Sequence, residues 1–179
     1  MKEQTIVQFV VFETTLDSRE FWVRWEQYNQ SMHDEATVTL QRHVLKNGHF
    51  KYVAQHKCSS KEFQFVFNNK RKPSKNPGAE IRKKLAGGYS VIQLQCTGET
   101  KPDESKIMIF ILDQSTDLDS FRQFSVHGKL NIYEAYYENC EFAYILEFFV
   151  KNEYAADVLQ QLKILTSFAE AGIYKECHA

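Results

Sequence analysis

The sequence predicts an α+β protein made of two successive β-α-β-β-α-β units, one over residues 1–98 and one over 105–179. Three observations predict it. Short runs rich in aromatic and β-branched residues alternate with amphipathic stretches at helical spacing. The run FKYVAQHKC, from Phe50, has a counterpart 92 positions later in FAYILEFFV, from Phe142. A polar stretch near 98–105, GETKPDES, divides the chain between the two copies.

The elements follow in order. TIVQFVVFE, from Thr5, reads as an apolar strand, and Asp17 with Glu20 three residues on reads as a helix start. The first helix carries a stripe of Phe21, Trp22, Trp25, Tyr28 and Met32. Two strands follow, TLQRHVLKNG ending at Gly48 and the run from Phe50. Ser59-Ser60-Lys61-Glu62 has the form of a capping box opening a second helix, and Gly87-Gly88 leads out of it into a last strand from Tyr89. The second unit repeats the order. KIMIFILD, from Lys106, matches the first strand at an offset of 100, and Thr116 with Asp119 marks the next helix start. NIYEAYYENC and FAYILEFFV supply two strands. A helix from about Glu153 to Phe168 shows Tyr154, Val158, Leu162 and Leu165 on one side, and each unit closes with a glycine and a last strand, Gly88-Tyr89-Ser90-Val91-Ile92 in one and Gly172-Ile173-Tyr174 in the other. This order is the ferredoxin-like split βαβ. Both faces of each sheet are apolar, so one face takes the helices and the other is expected to meet its twin in a barrel-like pseudo-dimer with approximate twofold symmetry.

The hairpin Leu45-Lys46-Asn47-Gly48-His49 decides which side chains share a face. A two-residue Asn-Gly turn pairs Arg42 with Val53, whereas a three-residue loop with a bulge at Gly48 pairs Arg42 with Tyr52. Only the second gathers Val38, Leu40, Val44, Phe50, Tyr52 and Ala54 on one side, so it is the expected register. It places Arg42 and His56 on that apolar face with Tyr52 between them. An arginine in such a place needs a partner. Glu134 occupies the matching position of the second unit. Two readings stand: an Arg42–Glu134 ion pair joining the halves, or a cavity in which Arg42 holds an anionic or carbonyl ligand and His56 accepts a proton. In the second reading Trp22 and Trp25 wall the pocket. Glu147 and its counterpart Gln55 are polar positions in apolar strands, which suggests a wet side. His33 and His127 fall near helix ends, His49 in the turn, and His43 on the face opposite His56.

Composition narrows the class. With 22 basic and 23 acidic residues the net charge is −1, against a globally basic nucleic-acid binder. Lys70–Lys84 (KRKPSKNPGAEIRKK) is the exception, with seven basic residues and one acid; it reads as an inserted loop and short helical turn. Its roles would be a solvated surface, a lid, or a patch for phosphate or RNA. The four cysteines, Cys58, Cys96, Cys140 and Cys177, have no zinc spacing and are expected to be reduced thiols. MKEQTIVQFVVFE has too short an apolar run for a signal peptide, and no stretch approaches a membrane span, so a cytoplasmic protein is expected. No metal motif, nucleotide-binding glycine pattern or serine elbow occurs, and neither a metal nor a cofactor is expected.

Two ferredoxin-like units facing each other in one chain resemble the dimeric α/β-barrel superfamily, which includes antibiotic-biosynthesis-monooxygenase-type proteins, haem-degrading and chlorite-dismutase-like proteins, and stress-responsive barrels. The resemblance is topological and spans nearly the whole chain. It implies a cofactor-independent monooxygenase acting on a small aromatic or enolic substrate; no family motif carries a catalytic residue over, and the chemical roles would fall to His56, Arg42 and Tyr52 as read from the strands. The alternative it implies is a non-catalytic module binding haem or another small molecule, with self-association as a homo-oligomer. The haem-degrading branch implies an Asn, a Trp and a ligating His; the first strand here offers Gln8.

Overall fold

A computed structural model describes residues 5–14, 16–32, 38–43, 50–59, 83–96, 100–124, 128–137, 140–165 and 170–176. The strands are β1 (Thr5–Thr14), β2 (Val38–His43), β3 (Phe50–Ser59), β4 (Lys83–Gln93), β5 (Glu104–Ile111), β6 (Lys129–Ala135), β7 (Tyr144–Lys151) and β8 (Glu170–Glu176). The described helices are α1 (Ser18–Met32), α2 (Leu118–Arg122) and α3 (Ala155–Leu165), the last entered through a 3-10 turn at Asn152–Tyr154.

The eight strands form a closed antiparallel barrel in the order β1-β3-β2-β8-β5-β7-β6-β4. The order β4-β1-β3-β2 among the first four recurs as β8-β5-β7-β6 among the last four. Closure runs through the sheet edges: β2 pairs with β8 at Gln41–His43, and β4 pairs with β6 from Tyr89 to Gln93. The sequence reading expected face-to-face packing. Edge pairing achieves the burial of both inner faces and removes the open edges as well.

Alternation along each strand then sends side chains to a lumen or to an outer layer. Val7, Phe9 and Val11 of β1, Val53, Tyr89, Met108, Phe110, Tyr133, Ile145 and Tyr174 fill the lumen. Phe9 packs edge-on against Tyr89 and Tyr133, at centroid distances of 5.5 and 5.1 Å. The opposite sides of β1 and β3 meet α1, and those of β5, β6 and β7 meet α2 and α3. On α3 the buried residues are Ala155, Val158, Leu159 and Leu162, a single stripe.

Arg42 pairs with Tyr52, the register expected of the bulged hairpin; residues 44–49 of the turn lie outside the described residues. Asp17 caps α1 as expected, its Oδ1 accepting from the amides of Arg19 and Glu20 at 2.8 and 2.9 Å. In α2 the cap is Asp117, one residue past the expected Thr116. The proposed capping box at 59–62 lies outside the described residues except for Ser59, which ends β3. Lys83 and Lys84, read as part of an inserted loop, begin β4; the rest of the basic segment, 70–82, lies outside the described residues.

The ladders also correct one offset. Phe9 faces Gln55 across β1–β3, and Met108 faces Glu147 across β5–β7. Because Gln55 and Glu147 are 92 apart, β1 maps to β5 at 99, one less than the sequence reading. Phe9 also faces Gly87 across β1–β4, and Met108 faces Gly172 across β5–β8, which sets Tyr89 level with Tyr174 in the two strand sets. β1 and β4 slip by one residue between Phe9 and Val10, leaving Ala86 unpaired as a bulge. Gly87 beside it adopts φ 120°, and a Cβ there would come within 2.6 Å of Cys140 Sγ, so both conformation and space require glycine.

Candidate functional site

The layer beneath α1 holds three of the six site residues expected from sequence. Phe12 and Val10 from β1, Tyr52 and Ala54 from β3, and Phe21 and Trp25 from α1 form one buried cluster, with Leu16 and Trp22 packed on it. The Tyr52 ring stacks on Phe21 at 3.7 Å and 3°. Phe12 meets Phe21 and Trp25 edge-on, both at 5.4 Å. Such aromatic pairs add about 0.5–1.5 kcal/mol each beyond the area they bury. Tyr52, Trp22 and Trp25 are therefore brought together, and α1 is what positions them.

His56 lies two residues beyond Ala54 on β3, half-buried, opposite Gln8 of β1 and Val38 of β2. Period-two alternation keeps it on the strand side that carries Tyr52 and Ala54. Arg42 occupies the rung opposite Tyr52; its side chain lies outside the described part of the structure. The ladder thus sets Arg42, Tyr52 and His56 along one short stretch of the β2–β3 pair.

Glu134 is not there. It sits on β6, exposed, opposite Ser90 and Tyr144. β6 and β2 are four places apart in a ring of eight, on opposite walls, which separates Glu134 from the rung of Arg42 and counts against the ion-pair reading of the two. Glu134 instead neighbours Tyr144, whose pKa is raised by burial and, after that, by the Glu134 charge.

The layer beneath α2 and α3 is different in kind. Ile107, Ile109, Ile111, Phe121, Leu130, Ile132, Leu146, Phe148, Val150, Leu159 and Leu162 are all buried there. At the offset of 92, Leu146 stands for Ala54 and Phe148 for His56.

The lumen holds the polar pair that the sequence reading took for a wet side. Gln55 and Glu147 point inward from opposite walls and hydrogen-bond to each other, Gln55 Nε2 donating to Glu147 Oε1. The same oxygen takes Lys106 Nζ at 3.3 Å, with both charged side chains nearly fully buried. Glu147 Oε2 accepts from the Tyr133 hydroxyl at 2.7 Å and from Asn131 Nδ2 at 3.3 Å. Asn131 is fixed in turn: its Oδ1 takes the amides of Gln95 and Cys96 at 2.9 and 3.0 Å. Lys106 Nζ also lies 4.8 Å from the centre of the Phe149 ring. Burial, then the Glu147 charge, raises the Tyr133 pKa well above the ordinary tyrosine range. Every lone-pair direction of Glu147 has a donor, which is what makes a buried carboxylate tolerable. This network holds opposite walls together. Lys106, Asn131 and Tyr133 were missed as a group because the offset of 100 set Lys106 against Ile6, on the outer side, whereas the ladders set it level with Val7 in the lumen.

Among the described residues no group of three or more His, Cys, Asp or Glu is placed to hold a metal ion. No described helix is long and apolar enough to cross a membrane.

No protein-family model matches the chain, and no curated protein does. Solved structures do share its fold. One, from Fusobacterium nucleatum subsp. nucleatum and named "Putative monooxygenase", matches with a TM-score of 0.50 at 12% identity over 98% of this chain and 93% of that one. Another, an anthrone oxidase-like protein, matches with a TM-score of 0.56 at 9% identity over 99% of this chain and 93% of its own.

Proposed function

We propose that the chain is a fused pair of ferredoxin-like units forming one α/β barrel, and that the layer beneath α1 is a cofactor-independent monooxygenase site for a small aromatic or enolic substrate. The observation that carries this reading is the composition of that layer. It buries the Tyr52 phenol inside the cluster, with the Trp22 indole packed on it and His56 on the same strand side, where the buried residues beneath α3 are all hydrocarbon and the phenol packed on them, Tyr144, is only partly buried. The fold shared with the anthrone oxidase-like protein and the monooxygenase-named protein supports the choice of reaction.

The chemistry asks little of a protein. His56 removes a proton from an acidic carbon, for which a neutral imidazole suits physiological pH. Arg42 stabilises the enolate oxygen that develops, with Tyr52 as a second donor. The carbanion then reduces oxygen directly and couples with it to a peroxide. Loss of water leaves a carbonyl: the CH2 group gives up both hydrogens, one oxygen atom is retained, and the other leaves as water. Trp22 and Trp25 supply the apolar wall that keeps bulk water from the enolate.

Quinone formation from anthrone under air tests the reading. Turnover consumes one oxygen molecule per anthrone, and Arg42→Ala and His56→Ala each lower it by roughly 10²–10⁴-fold. Turnover that survives both substitutions overturns the assignment. A second reading, ligand binding without turnover, is favoured by the tight Phe21–Tyr52 stack, which ties the tyrosine into the core. It predicts saturable binding of anthrone, or of hemin by a Soret shift, with no quinone.

A further inference from the structure

The Trp22 indole Nε1 is buried and finds no hydrogen-bond partner among the described residues. A buried donor left unmade costs about 1–3 kcal/mol, and native proteins leave few of them. An indole N–H can only donate. What completes it must therefore be an acceptor, and a cationic or donor-only group is excluded.

A second observation lies in the same cluster. Ala54 stands on β3 between Tyr52 and His56, opposite Val10 on β1 and Leu40 on β2. Among the described residues it is the smallest side chain of the layer, and its neighbours on that side of the strand are Tyr52 and His56, the two residues of β3 assigned to chemistry. Leu146, its counterpart at the offset of 92, fills the corresponding place with three more carbons, among buried residues that are all hydrocarbon. Small size between two functional groups is what a flat molecule lying on the strand requires.

We propose that Trp22 and Ala54 select the ligand of this site: a planar molecule seated over the Ala54 methyl, with a carbonyl, phenolate or enolate oxygen accepting from Trp22 Nε1. The inference rests on the site reading above and extends it. Trp22 becomes a binding residue that recognises oxygen, where the sequence reading made it only a wall. The donor also favours the oxyanion over the neutral substrate, because hydrogen bonds to charged acceptors are about twice as strong.

The test compares two three-ring probes in calorimetric titrations of the full chain: anthrone, with the oxygen, and 9,10-dihydroanthracene, without it. The wild-type protein binds anthrone about tenfold more tightly. Trp22→Phe keeps an aromatic ring and loses the N–H; the lost ring area weakens both probes alike, the lost N–H weakens anthrone by about a further tenfold, and the discrimination is erased. Ala54→Leu abolishes binding of both, whereas Ala54→Gly, which adds no bulk, retains both; circular dichroism and a thermal midpoint establish that each variant is folded. Discrimination that survives Trp22→Phe, binding that survives Ala54→Leu in a folded variant, or no binding of either probe overturns the proposal. Failure of the monooxygenase reading looks different: both probes bind with this pattern and no quinone forms.

Discussion

The layer beneath α1 and the layer beneath α3 rest on the same strand order, yet they are built from different chemistry. The second is an ordinary core. Isoleucine, leucine, valine and phenylalanine from three strands interlock with one stripe of α3, and the phenol packed on them, Tyr144, is only partly buried and donates to the Gln114 carbonyl. The first keeps the aromatic mass but threads polar atoms through it, including an indole N–H with no hydrogen-bond partner among the described residues and an imidazole on the strand below. One layer is arranged for stability alone; the other accepts local conflicts of the kind that mark functional sites.

Exchange of the two key residues breaks this comparison most severely. Phe148→His puts an imidazole at a position fully shut from water, among hydrocarbon. It loses the ring packing and strands polar nitrogens, at a cost of roughly 4 kcal/mol, read as a lower denaturant midpoint. His56→Phe changes stability by less than about 1 kcal/mol, because the position is half-buried, while it ends anthrone turnover. If Phe148→His is as stable as the wild type, the second layer has room for a polar group and the contrast fails.

The alanine contrast gives the next effect. Leu146→Ala gives the second layer what the first has at Ala54. The surrounding side chains come from rigid strands and collapse little, so the cavity costs about 3 kcal/mol in equilibrium unfolding. Turnover by the first layer is unchanged. A cost below about 1 kcal/mol would mean that the second layer is loosely packed and its lack of polar atoms carries no message.

How much of this the sequence displays depends on phase. The β2–β3 register was legible because Tyr52 and Ala54 alternate with Gln55 and Lys51, so only one pairing collects the apolar set. β1 and β5 offer no such contrast. Ile6, Val7, Phe9, Val10, Val11 and Phe12 are all buried, as is every residue from Ser105 to Ile111. A strand that is apolar on both sides can slide by one position without penalty in the pattern, and that single step exchanges lumen for outer layer. The lumen network was lost in this way. Glu134 was misplaced for a related reason: sequence symmetry says that two residues correspond, not whether they point at the axis. Gln55 and Glu147, also 92 apart, do point at it and do meet. The helix starts, by contrast, are local signals, and Asp17 was read correctly.

Those helix starts supply the smallest effect, and they sharpen the comparison because here the two layers agree. Asp17 caps α1 through two backbone amides, and Asp117 caps α2 through the Asp119 amide at 3.0 Å and the Ser120 hydroxyl at 2.6 Å. Asp17→Ala costs about 1 kcal/mol. Asp117→Ala costs less, since α2 has only five residues to lose and the carboxylate is fully exposed. The hydrogen bond from Ser120, then that from the Asp119 amide, lowers the Asp117 pKa. A lowered folded-state pKa contributes stability that is complete above the unfolded value, about 4 for aspartate, and is lost as pH falls through the folded one. Unfolding curves of wild type and Asp117→Ala should therefore differ at pH 7 and converge toward pH 2. A gap that stays constant over that range means the carboxylate charge at this cap contributes nothing. The two helices would then start by different physics, and the likeness of the layers would stop at their strands.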